Sequence, residues 1–140
     1  MPLALTERVD MEKTVVIINP QSASGKTGKR WPRVAPKLLS VYPNAELLMT
    51  KESGEAATLA KNAVIDGANR VIAVGGDGTI NEVVNGLQDS NNLLSFKLGI
   101  VPTGSGNSVA HDTDLLDVKD AINKCAGENT IKMDVNQVDF

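Results

Sequence analysis

The sequence predicts an α/β fold in which a parallel sheet is covered by helices on both faces. Short, β-branched apolar runs alternate with segments in which apolar residues recur at helical spacing. A continuously apolar strand must be buried on both sides, and strands that alternate with helices are joined by crossovers into parallel sheets. The chain has 140 residues, of which 41% are hydrophobic, so it can form one such core. We therefore expect a single three-layer domain.

Four apolar runs are predicted to be strands. The first is TVVII at residues 14–18, which is bounded by Asn19 and Pro20. Its shortness and its β-branched residues favour a buried strand over a helix. Similar runs follow at residues 46–49, 70–74 and 98–101.

Four amphipathic segments are predicted to be helices. Ser53 is placed to cap the second helix, and Gly67 is placed to end it. The fourth helix stops at Gly127, and residues 130–140 then alternate apolar and polar side chains as a strand would, without a turn or a partner strand. The apolar stripes consist of Trp31, Val34, Ala35, Leu38 and Leu39; Ala56, Leu59, Ala60, Ala63 and Val64; Ile80, Val83, Val84 and Leu87; and Val118, Ala121, Ile122 and Cys125.

Composition limits the classes of function that the chain can have. The formal net charge of −3 argues against broad binding to nucleic acid, so no nucleic-acid partner is expected. Cys125 is the single cysteine and His111 the single histidine, which exclude an internal disulfide and a multi-histidine metal site. No run approaches the roughly 18 apolar residues of a spanning helix. We expect a cytoplasmic chain with a flexible leader at residues 1–12.

Three polar, glycine-bearing loops follow predicted strands, at residues 19–28, 75–79 and 102–108. In a parallel sheet these loops fall on one edge, where ligands bind in open α/β folds. Gly75 and Gly76 let the backbone approach a ligand closely. The helix that begins near Thr79 directs its amide donors and the positive end of its dipole toward the same place. The sequence therefore predicts a phosphate-binding edge.

Asp77 lies between the glycines of the central loop, GGDGT. A carboxylate beside a phosphate is repelled by it, unless the carboxylate binds a metal ion or exchanges a proton with the substrate. Phosphoryl transfer needs both a metal ion and a group that orients or deprotonates the attacking hydroxyl. The alternative is a local turn in which the carboxylate bonds its own backbone. Glu82 and Asn85 follow on the polar face of the next helix, where they either support the site or are solvated.

The segment SGKT at residues 24–27 resembles the end of a P-loop. The first glycine of that pattern would fall at Pro20, which has no amide hydrogen for a phosphate cradle. Trp31 and Pro32 also make an awkward helix start. A true P-loop is therefore disfavoured, although Ser22, Ser24, Gly25 and Lys26 can contact phosphate in another loop geometry.

Four motifs in order and spacing resemble the diacylglycerol kinase catalytic domain family, which includes diacylglycerol kinases, sphingosine kinases and bacterial lipid kinases. They are INP after the first strand, Thr50 after the second, GGDGTINEVVNGL after the third and PTGSGN after the fourth. The resemblance runs from about Thr14 to the end of the chain. It implies a Rossmann-like domain, similar to the N-terminal half of NAD kinases and diacylglycerol kinases.

The resemblance implies ATP with Mg²⁺ as co-substrate and a lipid alcohol as phosphoryl acceptor. Asp77 matches the signature aspartate, which is proposed to act as a base or to organise magnesium. From its place on the helix, Glu82 is predicted to support the site. No residue is assigned as a metal ligand. Ser108 follows Asn107 where diacylglycerol kinases often have aspartate, which favours sphingosine-kinase-like members slightly. The nucleotide-binding residues are predicted to be Asn19, Ser24, Gly25, Thr50, Gly75, Gly76, Asp77, Gly78, Thr79, Ile80, Asn81, Gly104, Ser105, Gly106 and Asn107.

Members of this family have a second, largely β domain that closes the cleft and holds the lipid. We expect residues 13–140 to be the nucleotide-binding catalytic domain without that second domain, and we expect the isolated chain to be inactive. The longer parent protein is expected to contact a membrane peripherally. Formation of a homodimer is also considered. An NAD kinase-like domain and a non-catalytic nucleotide-binding module are the alternatives.

Overall fold

The computed structural model describes residues 13–89 and 97–103, which form a parallel sheet flanked by helices. The predicted α/β class is confirmed, and each predicted strand is present at its predicted place. The fourth predicted helix, the strand-like end of the chain and the leader lie outside the described residues. The elements are β1 (Thr14–Ile18), α1 (Lys26–Val41), β2 (Glu46–Met49), α2 (Glu55–Ile65), β3 (Arg70–Gly75), α3 (Asp77–Asp89) and β4 (Lys97–Pro102).

The strands are arranged in the order β2-β1-β3-β4, and every neighbouring pair is parallel. Ile18 at the end of β1 aligns with Met49 of β2 and with Val74 of β3. Gly75 aligns with Pro102 of β4. The loops that follow β1, β3 and β4 therefore begin at one edge of the sheet.

The core has two halves, one on each face of the sheet. On one face, Val15, Ile17 and Val71 pack with the apolar residues of α2 and α3. On the other face, Val16, Ile18 and Ile72 pack with Trp31, Val34 and Leu38 of α1. The central strands β1 and β3 are buried at every position, as their continuous apolar sequence predicts. The edge strand β2 departs from this expectation, because three of its four residues are exposed.

Helix α1 begins earlier than its apolar stripe indicates. It starts at Lys26 and contains Pro32 and Pro36, so the expected awkward start at Trp31 and Pro32 was wrong. Proline removes a helical hydrogen bond and crowds the preceding turn. Both prolines are exposed, so their rings do not interrupt the buried stripe.

Helix α2 does not use the predicted cap. Gly54, with a φ of 84°, occupies the N-cap position without a side-chain hydrogen bond, so the assignment of Ser53 was wrong. The predicted stop at Gly67 is confirmed. Gly67 has a φ of 101°. Its amide and that of Ala68 bond to Val64 and Ala63, which closes the last turn as a Schellman motif.

Helices α2 and α3 approach each other closely at Gly86. A Cβ at Gly86 would lie 2.0 Å from the carbonyl oxygen of Ala57. This position therefore requires glycine, and the close approach packs the last turn of α3 against the first turn of α2. Among the described residues, none of the helices has the length and hydropathy that crossing a bilayer requires.

Candidate active site

The loops after β1, β2 and β3 surround one cleft at the carboxyl edge of the sheet. The volume of the cleft is about 590 Å³, which is large enough for a nucleotide-sized ligand. Its position is the one at which open α/β sheets bind ligands. The residues that line it are Asn19, Ser22, Ala23, Ser53, Gly76, Asp77, Gly78, Thr79 and Glu82.

The first turn of α3 forms one wall of the cleft. Helix α3 begins at Asp77, immediately after β3 and Gly76, and the amide of Ile80 bonds to the carbonyl of Gly76 at 3.1 Å. The amides of the first helical turn have no partner within a helix. Because Gly78 and Thr79 belong to that turn and line the cleft, their amides suit an anionic ligand.

Gly75 is buried directly beneath this helix start. A Cβ at Gly75 would lie 2.6 Å from Oγ1 and 2.8 Å from Cβ of Thr79. Such distances are shorter than van der Waals contact. The sharp connection from β3 into α3 therefore depends on glycine at this position.

Asn19 joins the first loop to α3. Its side-chain amide donates to Thr79 Oγ1 at 3.1 Å, and its Oδ1 accepts a hydrogen bond from the amide of Gln21 at 3.1 Å. Its own backbone amide bonds to the carbonyl of Val74, which extends the ladder between β1 and β3. Asn19 is thus held on three sides at the floor of the cleft.

The first loop contains an unusual run of left-handed backbone. Ala23, Ser24 and Gly25 have φ values of 55°, 58° and 87°. Residues other than glycine rarely adopt this region, and such strain is concentrated at binding and catalytic sites. The amide of Gly28 bonds to the carbonyl of Pro20 at 3.0 Å, which closes the loop onto the start of α1.

A chain of hydroxyl groups connects this loop to the end of β4. Ser22 Oγ donates to the carbonyl of Asn19 and contacts Thr27 Oγ1, which lies 2.8 Å from Thr103 Oγ1. Thr27 and Thr103 are fully buried. Arg30 also donates to the carbonyl of Thr103 at 3.3 Å. The first loop and the start of the fourth-strand loop are therefore fastened together.

The structure gathers seven of the residues named in the sequence analysis around the cleft: Asn19, Ser22, Gly76, Asp77, Gly78, Thr79 and Glu82. Ser24 and Gly25 are in the first loop but are not among the lining residues. Gly104, Ser105, Gly106 and Asn107 lie outside the described residues.

Five other residues named in the sequence analysis are not among those that line the cleft. Gly75 and Ile80 are buried, whereas Asn81 is exposed on α3. Thr50 is buried, and its amide extends the ladder to Ile18 at 2.9 Å. Asn85 is exposed on α3 outside the lining set.

Two lining residues were not in the predicted set as ligand contacts. Ser53 had been interpreted as a helix cap, and Ala23 had not been singled out. Ser53 comes shortly after β2, so the rule that ligands bind beyond the carboxyl ends of parallel strands would have found it. Ala23 carries no chemical signal in its side chain, and only its backbone conformation marks it.

The cleft is acidic. Asp77 and Glu82 are the charged residues among those that line it, and none of the lining residues in the described ranges is lysine or arginine. The described residues contain no group of three or more acidic, histidine or cysteine side chains that could hold a metal ion by itself. The cleft can therefore offer two carboxylates to a cation that a ligand brings with it.

Comparison with known proteins relates this arrangement to lipid kinases. The sphingoid long chain base kinase 4 of Schizosaccharomyces pombe is 34% identical over 102 residues, which cover 70% of this chain and 22% of that protein. A diacylglycerol kinase of Staphylococcus haemolyticus is 32% identical over 124 residues, which cover 88% of this chain and 37% of that protein.

A solved structure agrees in fold. The crystal structure of a diacylglycerol kinase from Bacillus anthracis matches with a TM-score of 0.72 and 27% identity, over 84% of this chain and 43% of that one. The chain thus spans less than half the length of these relatives. The model of the diacylglycerol kinase catalytic domain matches residues 13–138, which is nearly the whole sequence. The chain belongs to the diacylglycerol kinase catalytic domain family.

Proposed function

We propose that this chain is the nucleotide-binding part of an ATP-dependent lipid kinase, which transfers the γ-phosphoryl group to a lipid hydroxyl. The observation that carries the proposal is the position of Asp77. Asp77 lines the cleft in the first turn of α3, between glycines that leave room for a ligand. Family membership supplies the reaction class, and the relatives supply diacylglycerol-like and sphingoid alcohols as candidate acceptors.

The polyphosphate of ATP is expected to lie against the start of α3. Gly76, Gly78 and Thr79 line the cleft there, and the first-turn amides and the helix dipole favour negative charge. Asn19 fixes the Thr79 hydroxyl from the opposite loop. These groups are held by backbone ladders and a buried hydroxyl chain, so they need little reorganisation when a ligand binds.

Mg²⁺ fits the donor set of the cleft. Asp77 and Glu82 offer the carboxylate oxygens that Mg²⁺ prefers, and no lysine or arginine is among the lining residues of the described ranges to neutralise a polyphosphate. Magnesium sites of this kind use one or two carboxylates together with substrate phosphates. When bound, the metal ion would neutralise the charge on the phosphate oxygens.

We propose that Asp77 acts on the attacking hydroxyl. In the reaction, the lipid oxygen forms a bond to the γ-phosphorus while the bond from that phosphorus to the bridging β–γ oxygen breaks, and ADP leaves. The hydroxyl proton passes to a base, which is Asp77 if it is not engaged with the metal ion. Positioning and charge neutralisation supply most of the rate in such reactions.

The lipid pocket is proposed to belong to a second domain, because the relatives are more than twice as long as the matched region. One wall of a cleft positions only one substrate, so the 140-residue chain alone should turn over slowly or not at all. The complete enzyme would act in the cytoplasm at a membrane surface, where its substrate is located. We also propose that the chain associates with a second copy of itself as a homodimer.

The test is the transfer of label from [γ-³²P]ATP by the full-length protein. It would be offered diacylglycerol, sphingoid bases and NAD in separate reactions with Mg²⁺. Label in a lipid product supports the proposal, whereas label in NADP would assign the protein to the NAD kinases. ATP binding without any labelled product would indicate a non-catalytic nucleotide-binding module.

A further inference from the structure

The hydroxyl chain between β4 and the first loop has a defined direction. Ser22 Oγ donates its proton to the carbonyl of Asn19 at 2.9 Å, because a carbonyl oxygen can only accept. Each hydroxyl has one proton, so Thr27 must be the donor in its hydrogen bond to Ser22. Thr103 must in turn be the donor to Thr27, at 2.8 Å. The order of donation therefore runs from Thr103 in the core through Thr27 to Ser22 in the first loop.

The two threonines of this hydroxyl chain are shielded from water. The exposed fraction of both Thr27 and Thr103 is 0%, so water cannot exchange into the chain and reverse it. Ser22 is half-buried and lines the cleft. The chain therefore starts in the core, and its last proton is the one that a ligand can reach.

From this geometry, we propose that Thr27 is a positioning residue that makes the Ser22 hydroxyl an obligate donor toward a phosphate oxygen of the nucleotide. Thr27 donates its hydroxyl proton to Ser22 Oγ, so the Ser22 hydroxyl cannot donate to Thr27 in return. The Ser22 proton can then go only to the carbonyl of Asn19 or to an acceptor in the cleft. This inference rests on the proposed nucleotide-binding function.

The Ser22 hydroxyl can change its acceptor from the carbonyl of Asn19 to a ligand oxygen at little cost in free energy. The carbonyl oxygen of Asn19 also accepts the backbone amide of Ser22 at 3.2 Å, so it keeps a partner when the hydroxyl turns away. A charged phosphate oxygen is a stronger acceptor than a neutral carbonyl. Binding of a phosphate should therefore redirect the proton without disturbing the loop.

The test compares variants of the full-length protein by titration calorimetry with Mg·ATP. Ser22→Ala removes the donor and should weaken ATP binding about tenfold, as expected for a hydrogen bond to a charged group. Thr27→Val keeps the shape but removes the orienting proton, and should weaken binding about three- to tenfold. Thr27→Ser restores the hydroxyl and should bind ATP as the wild type does.

A double-mutant cycle separates positioning from a purely structural role. If Thr27 acts through Ser22, Thr27→Val should have no further effect on ATP affinity in a Ser22→Ala background. Additive losses of affinity would show that Thr27 only stabilises the loop, and would overturn the inference. Ser40→Ala removes a hydroxyl at the far end of α1, where Ser40 bonds to Lys37, and serves as the matched control.

Folding is checked by urea unfolding, because Thr27→Val leaves Thr103 without its buried acceptor. Thr103→Val breaks the same chain one step farther from the cleft, and provides a second route if Thr27→Val does not fold. Thr27→Val and Thr103→Val variants that fold and bind ATP normally would overturn this inference but leave the proposed kinase function standing. A wild-type protein that does not bind Mg·ATP would overturn both.

Discussion

The side-chain amide of Asn19 donates a hydrogen bond to Thr79 Oγ1 at 3.1 Å, across 60 residues of sequence. This bond joins the loop after β1 to the first turn of α3, and both residues line the cleft. Asn19 also accepts from the amide of Gln21, so one side chain organises two loops. These bonds give Asn19 a structural role at the cleft, in addition to its proposed role in nucleotide binding.

Replacing Asn19 with alanine should lower both stability and nucleotide affinity. The Asn19→Ala variant loses the bonds to Thr79 and to the amide of Gln21. We expect a loss of about 1–2 kcal/mol in the free energy of unfolding, measured in urea. Affinity for Mg·ATP should fall as well, because Thr79 is no longer held. Gln21→Ala, which removes an exposed side chain from the same loop, should change neither quantity.

Two glycines of the central loop should respond differently to alanine. Gly75→Ala places a Cβ 2.6 Å from Thr79 Oγ1 and should destabilise the fold by about 1–3 kcal/mol. A Cβ at Gly78 meets no atom within 4 Å, so Gly78→Ala should leave stability unchanged or raise it slightly.

The affinity for Mg·ATP should also distinguish Gly78→Ala from Gly75→Ala. Gly78 lines the cleft, so the new methyl group should weaken Mg·ATP binding while thermal unfolding is unaffected. Equal stability of Gly75→Ala and Gly78→Ala would contradict the packing described for Gly75.

Asp77→Asn should abolish phosphoryl transfer and leave the fold intact. Asparagine keeps the size of the side chain but is neither a base nor an anionic metal ligand, so kcat should fall at least about a hundredfold in the full-length protein. Circular dichroism and the midpoint of urea unfolding should match those of the wild type. Asp89→Asn, which changes an exposed carboxylate at the other end of α3, is the control. Near-normal turnover of Asp77→Asn would contradict the catalytic role assigned to Asp77.

Removal of Mg²⁺ should weaken ATP binding strongly. Without a cation, the phosphates face Asp77 and Glu82 with no lysine or arginine among the lining residues of the described part of the chain. Calorimetry in EDTA should show at least about a tenfold loss of ATP affinity, since like charges in a cleft are costly. Adenosine, which carries no phosphate, should bind equally with and without Mg²⁺. ATP affinity that does not depend on the metal ion would argue that cations outside the described residues neutralise the phosphates.

The local elements could be predicted because each is specified by neighbouring residues. The β-branched run of β1 and the apolar stripe of α3 identify a strand and a helix without reference to the rest of the molecule. Gly67 ends α2 as expected, because a left-handed residue after a helix is a local requirement. Ser53 was misassigned because a glycine in the left-handed conformation can begin a helix as well as a serine cap can.

The sequence by itself determined the alternation of strands and helices, the family, and the position of Asp77 just after β3. Those features depend on periodicity, on short motifs and on the order of these motifs along the chain. The tertiary structure decided that Ser22, Thr27 and Thr103 form one hydroxyl chain, that Asn19 holds Thr79, and that Ser53 lines the cleft. These relations follow from the strand order β2-β1-β3-β4, which brings distant loops to one edge, and no local pattern encodes a contact across 76 residues.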